Sequence, residues 1–98
     1  ERIIKLLEGV GEPLSAEQIA YILGIDRSRV GEIYEHLAHI AKTVRRSSGG
    51  RRALLMVPPR CRACGYVFRD LERPKKPSKC PKCGSQRIEP PKFAIGEV

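Results

Sequence analysis

Tryptophan is missing from this 98-residue sequence, three Tyr and two Phe are its only aromatic side chains, and it holds two His and one Met. Any core must therefore be largely aliphatic, and a chain of this length has room for one compact domain or two very small ones, not a large enzyme core. It also lacks an apolar run near the roughly 20 residues that a membrane helix needs. The opening Glu-Arg-Ile-Ile-Lys has none of the features of a signal peptide. No serine, histidine and carboxylate set of the kind that supports nucleophilic catalysis is evident, so no enzymatic activity is expected. Without export or membrane signals, a cytoplasmic location is expected. The first residue is not Met, and an N-terminal piece is expected to precede it.

Acidic residues are scarce in one part of the chain only. Residues 1–41 carry Arg2, Lys5, Arg27 and Arg29 against seven acids, a balance of −3, whereas residues 42–98 carry fifteen bases against four acids, a balance of +11, giving the total of +8. Basicity thus belongs to the second part. Such asymmetry points to a polyanionic partner, of which nucleic acid is the most common.

The four cysteines fall as Cys61-x-x-Cys64 and Cys80-x-x-Cys83 with fifteen residues between the pairs, the spacing of a two-knuckle zinc site. Each C-x-x-C can turn back so that both sulfurs face one ion. Gly65 and Gly84 follow the second cysteines, where a tight knuckle needs a residue tolerant of positive φ. Four thiolates around zinc leave no open position, so a structural Zn2+ is expected. Disulfides suit secreted chains, and "KCPKCGSQ" is turn chemistry rather than the helix start of a thioredoxin-like redox motif. The knuckles "CRACGYVF" and "CPKCG" resemble those of rubredoxins, where such a site holds iron. The absence of Trp and the basic surroundings leave little apolar shell for a redox iron, which favours zinc. Between the knuckles, Tyr66, Val67, Phe68 and Leu71 are too few to fold this segment alone, so metal binding must stabilise it.

The first part reads as helical. "ERIIKLLEGVG" places Ile3, Ile4, Leu7 and Val10 on one face. In "SAEQIAYILG", Ser15 and Gln18 form a capping box, and Gly24 suits a left-handed helix end. Asp26 is placed to cap the next helix, which carries Val30, Ile33, Tyr34, Leu37, Ile40, Ala41 and Val44 at helical spacing. Small Ala20 before the Gly24 bend and apolar Val30 after it are similar to a DNA-binding helix-turn-helix. The face opposite the apolar stripe carries Ser28, Glu32, Glu35, His39, Lys42 and Arg46, so two carboxylates sit where phosphates would approach. His36 and His39 read as solvated. These helices offer a core that does not depend on the metal.

"RALLMV", Arg52 to Val57, reads as a strand, and its best partner is "KFAI", Lys92 to Ile95, on the far side of the metal site. The expected fold class is α+β, a three-helix winged helix-turn-helix with a small two-stranded ribbon and an inserted four-cysteine zinc ribbon. The expected domains are 1–57 for the winged helix-turn-helix, 58–91 for the rubredoxin-like zinc ribbon, and 92–98 for a strand returning to the first sheet. "RRSSGGRR", Arg45 to Arg52, is then a flexible turn between the third helix and the ribbon. Its charge density points to phosphate contact through Lys42, Arg45, Arg46, Arg51 and Arg52, joined by Arg27 and Arg29 at the helix start and by Lys75 and Lys76 in "RPKKPSK".

A helix-turn-helix followed by "PPRCRACGYVF" and "CPKCG" resembles a small archaeal family of predicted transcription regulators that combine a winged helix with a rubredoxin-like zinc ribbon. The resemblance implies Cys61, Cys64, Cys80 and Cys83 as zinc ligands and the third helix as the counterpart of a recognition helix. The function expected is that of a DNA-binding transcription regulator gripping phosphates through a basic loop and ribbon. A protein-interaction adaptor docking on transcription or other nucleic-acid machinery, or a redox module, are the alternatives.

Overall fold

The computed structural model describes residues 2–71 and 73–98. Helix α1, Arg2–Gly9, buries Ile3 and Leu7. A two-residue strand β1, Leu14–Ser15, leads directly into α2, Ala16–Leu23. The capping box forms: Ser15 Oγ accepts from the Gln18 backbone N–H at 3.2 Å, and Gln18 Oε1 accepts from the Ser15 N–H at 2.9 Å. Two of the donors left open at the helix start are thereby satisfied. At the other end Gly24 takes φ 71°, which L side chains adopt only at a cost, and the Ile25 N–H returns to the Ala20 carbonyl at 2.8 Å. Ala20 is fully buried.

Asp26 caps a 3-10 turn over Arg27–Arg29 rather than α3 itself, its Oδ1 accepting from the Ser28 N–H at 2.8 Å. Hydrogen bonding from the Ser28 hydroxyl, and then from its N–H, holds the Asp26 carboxyl below its usual range. Helix α3, Val30–Ser47, follows and buries Ile33, Leu37, Ile40 and Val44, the stripe read from the sequence.

Strand β2, Arg52–Val57, pairs antiparallel with β5, Lys92–Glu97, in a register running from Arg52 opposite Glu97 to Val57 opposite Lys92. The sheet has three strands, not two, because β1 pairs with the other edge of β5 through Leu14 and Phe93. A strand as short as Leu14–Ser15 carries no alternation of its own. Its extended backbone is set by Pro13 before it and by the N-cap geometry of Ser15. Phe93, the second residue of β5, is fully buried among the helices and packs edge-to-face on Tyr34 with ring centroids 6.2 Å apart. A second sheet, β3 (Arg60–Cys61) with β4 (Ile88–Glu89), lies inside the segment between β2 and β5. The architecture is thus mixed α and β, with three helices, two small antiparallel sheets and a four-cysteine cluster.

The "RRSSGGRR" stretch is no flexible turn. Gly49 and Gly50 have φ 65° and 86°. The Gly50 N–H donates to the Arg45 carbonyl at 2.8 Å and the Gly49 N–H to Arg46 at 3.3 Å, the paired bonds of a Schellman helix end. Ser48 reinforces it, its hydroxyl donating to the Val44 carbonyl at 2.8 Å and accepting from the Arg52 N–H at 2.9 Å. What looks like low-bulk linker is a hydrogen-bonded cap that fixes how α3 turns into β2.

Two core substitutions should behave in opposite ways. Phe93→Ala empties a fully enclosed position and is expected to cost about 3 to 5 kcal/mol in denaturant titration of zinc-loaded protein. The Tyr34 hydroxyl is buried without a hydrogen-bond partner, and burial, followed by the nearby Glu17 charge, pushes its phenol above the usual range. Tyr34→Phe removes only that orphaned group and is expected to be neutral or stabilising by up to about 1 kcal/mol; a loss as large as that of Phe93→Ala would show that the hydroxyl has a structural partner.

Candidate metal centre and basic surface

Cys61 lies at the end of β3 and Cys64 in the turn after it. The Gly65 N–H bonds back to the Cys61 carbonyl at 2.9 Å, and the Cys61 N–H to the Tyr66 carbonyl at 2.8 Å. The second knuckle repeats the pattern, Gly84 to Cys80 at 2.9 Å and Cys80 to Ser85 at 2.8 Å. Gly65 and Gly84 take φ 81° and 76°, as the knuckles require. The Arg62 N–H donates to the Arg87 carbonyl at 2.8 Å, tying one knuckle to the other. Around them Ile88 is buried, and Tyr66 and Phe68 meet edge-to-face at 5.0 Å. This second core is small.

All four Sγ atoms lie within 4.8 Å of one another, as free thiols. The Cys61–Cys83 and Cys64–Cys80 sulfurs are each 3.6 Å apart. Four sulfurs about 2.3 Å from one zinc ion stand about 3.8 Å apart in a tetrahedron, so the cluster fits. Each knuckle contributes one buried sulfur, Cys61 or Cys80, and one exposed, Cys64 or Cys83.

The electrostatics agree with a site made for a cation. Burial alone would raise the Cys61 thiol, but backbone N–H donors from Cys64 and Ala63 and the neighbouring thiols outweigh it and bring it down to about 6. Cys80 is lowered against burial by the N–H groups of Cys83 and Lys82, the latter 3.4 Å from its sulfur. Cys83 receives a lowering bond from Ser85, yet burial and the three other sulfurs push it up to about 12. Cys61 and Cys80 are thus drawn toward the thiolate form, while the other sulfurs push Cys83 the opposite way. A zinc ion supplies the charge that lets all four ionise and cross-links the knuckles with no open coordination position.

The cationic residues singled out in the sequence divide by what they touch. Arg29 is bidentate to Glu32, at 3.1 and 3.2 Å, so the first of the two acids on the outer face of α3 is already paired. Arg52 is engaged with Glu8 of α1 and anchors β2 to that helix. Arg51 donates through Nε to the Ser48 carbonyl at 3.3 Å and stays exposed. Arg45 and Arg46 are exposed on the last turn of α3, and Arg27 borders a shallow hollow with Glu17 and Tyr21. Lys42 faces a cleft of about 750 Å³ whose other wall is Arg73 and Pro74 of the zinc module, with Glu35 and His39 between them. Lys75 and Lys76 lie further along the same module. The structure therefore does not gather all these cations on one surface: Arg29 and Arg52 are held by acids, while Lys42, Lys75 and Lys76 flank the zinc module.

Arg73, His39 and Lys79 sit beside these cations without having been singled out as binding residues. Only the landing of Arg73–Pro74 against α3 reveals them, and no local spacing encodes that. Among the described residues no helix is long and apolar enough to cross a membrane.

Purified protein is expected to carry one zinc per chain by elemental analysis, and Cys61→Ser or Cys80→Ser to lose most of it. Chelation should lower amide protection in residues 60–88 and in β2 and β5 together, because Phe93 reaches the helical core only through the zinc module. Unchanged protection of Leu54–Met56 and Phe93–Ile95 after chelation would show instead that the helices and their sheet stand without the metal.

The comparisons with known proteins agree with this geometry. Residues 1–52 match the family model described as PF0610-like, N-terminal, and residues 58–97 match the PF0610 rubredoxin-like zinc beta-ribbon domain. The zinc-ribbon match thus runs on through β5. No curated protein matches the chain. Among solved structures, the solution NMR structure of protein PF0610 from Pyrococcus furiosus is similar at 35% identity and a TM-score of 0.75, over 99% of this chain and 87% of that one. With both halves of the sequence matched and the zinc cluster in place between β2 and β5, the chain belongs to the PF0610-like family.

Proposed function

We propose that this protein is a DNA-binding transcription regulator of winged helix-turn-helix type, with a structural zinc ribbon in place of a simple wing. The observation that carries the reading is the display of cations around the end of α3 that have no acidic partner among the described residues. Arg45 and Arg46 close that helix, the Schellman cap holds the chain after it, and Arg51 emerges from the cap. Support for the helix-turn-helix comes from buried Ala20, left-handed Gly24 and the packing of Val30 on the shared core. Phosphate contact from a backbone already fixed by the helix and its cap loses less backbone entropy than contact from a mobile loop.

In this reading zinc is structural, no reaction is catalysed, and the protein works in the cytoplasm. Of the two acids of α3, Glu32 pairs with Arg29, while Glu35 lines the cleft with Lys42 and Arg73. A second reading, an adaptor for a protein of the transcription machinery, draws on one observation. Tyr21 and Ile22 stand 87% and 51% exposed on α2, more apolar surface than a solvated helix face needs.

Replacing Arg45, Arg46 and Arg51 together by Gln should lower the salt slope of log K for nucleic acid by about 2 to 3, from 0.7 to 0.9 per phosphate contact. Arg52→Gln should leave the slope unchanged and reduce stability instead, since its partner is Glu8. Salt slopes measured on zinc-loaded protein decide this. If the triple change leaves both affinity and slope intact, the arginines are merely solvated and the adaptor reading takes precedence.

A further inference from the structure

The cleft between α3 and the zinc module raises the question of what form of nucleic acid reaches it. Its floor is the outward face of α3, with Glu35, Ala38, His39 and Lys42, and its opposite wall is Arg73–Pro74. An adjoining cavity of about 280 Å³ shares Glu35, Ala38, Arg73 and Pro74 and extends to Lys75. Lys75 then borders a further hollow of about 530 Å³ with Phe68, Lys76, Pro77 and Lys79. Lys75 is thus common to the α3 side and the ribbon side. Cations mark the whole path, and Glu35 is the acid that lines it among the described residues.

A duplex fits this arrangement poorly. The major groove is about 12 Å wide, and a helix with its side chains is about 10 to 12 Å across, so one helix fills the groove. Here Arg73 and Pro74 stand over the same face of α3 that would have to enter. A single strand makes no such demand: it needs a basic groove for its backbone and ring faces on which bases stack. The exposed His39 imidazole, beside Lys42 in the cleft, supplies such a face.

We infer that the cleft between α3 and the Arg73–Lys79 segment is a track for single-stranded nucleic acid, with Lys42, Arg73, Lys75, Lys76 and Lys79 on its phosphates. The inference rests on the reading above that this is a nucleic-acid-binding protein, and concerns the cleft rather than the Arg45, Arg46 and Arg51 group at the end of α3. The track depends on the zinc ribbon, since the segment forming its outer wall lies between the two knuckles.

The test uses the zinc-loaded full chain with oligothymidylate and oligouridylate of about a dozen nucleotides, and a hairpin duplex of equal charge. The expected result is tighter binding to the single strands than to the hairpin. The DNA and RNA oligomers show which backbone is preferred. Lys42→Gln with Arg73→Gln and Lys75→Gln should lower the single-strand salt slope by about 2, from 0.7 per contact. Glu35→Gln should tighten binding, because it removes the acid from the track. All four side chains border open clefts, and zinc content and thermal melting confirm that the variants fold.

Preference for the hairpin with no effect of Arg73 and Lys75 would overturn the track while leaving a nucleic-acid-binding protein. Absence of binding to every probe at low salt would overturn the nucleic-acid reading itself. Equal displacement by polyglutamate would identify an acidic protein segment as the occupant and overturn the inference in favour of the adaptor.

Discussion

The antiparallel pairing of β5 with β2 is the constraint on which the rest of the molecule depends. β5 brings Phe93 into the centre of the helical core, and its other edge holds β1, which in turn starts α2. Yet β2 ends at Val57 and β5 begins at Lys92, so 34 residues (92 − 57 − 1) separate them. Closing a flexible loop of that length costs about 3 kcal/mol in chain entropy beyond a constant, a large part of the 5 to 15 kcal/mol by which domains are stable. The zinc knuckles shorten the problem. Once Cys61 and Cys64 share an ion with Cys80 and Cys83, what remains are short links through Pro58–Pro59 and Pro90–Pro91, of which Pro59 and Pro91 are fully buried. The metal centre therefore acts at a distance on the helices, through the strand that it returns.

That coupling bears on one sequence expectation, which the chelation experiment tests. Ile3, Leu7, Ile19, Ile33, Leu37 and Ile40 have helical spacing and do form a core, which suggested helices indifferent to metal. Local periodicity cannot show that the largest side chain in that core comes from the far side of the zinc site. Phe93 stands in a six-residue strand whose partner is fixed by tertiary contacts, and no feature within residues 92–97 says which element it will cover. The strand pairing itself was legible, because Arg52–Val57 and Lys92–Ile95 are short apolar runs, each bordered by a double proline. The third strand was not, since Leu14–Ser15 is too short to alternate.

The site divides in the same way. Cysteine spacing and the two following glycines specify the zinc cluster because each knuckle is a local structure with fixed chemistry. The basic surface is different, since a charge in sequence carries no record of its neighbours in space. Arg45, Arg46, Arg51 and Arg52 look alike in "RRSSGGRR", but two close a helix, one leaves the cap and one is captured by Glu8. The same stretch misleads about stiffness: Ser-Ser-Gly-Gly has the composition of a linker, while its glycines are there for positive φ and its Ser48 hydroxyl for two backbone hydrogen bonds.

Electrostatic bookkeeping along α3 gives the acidic outer face its meaning. A helix that enters a groove unaided gains from a uniformly basic face, so Glu32 and Glu35 look like errors if α3 is considered alone. In the folded chain each lies close to cations. Glu32 orders Arg29 at the helix start, where its negative charge also suits the helix dipole. Glu35 lies across from Arg73 and Lys42, in a region where cations of the module and of α3 approach each other. A single carboxylate among these cations leaves the path net positive, so the cleft stays attractive to a polyanion.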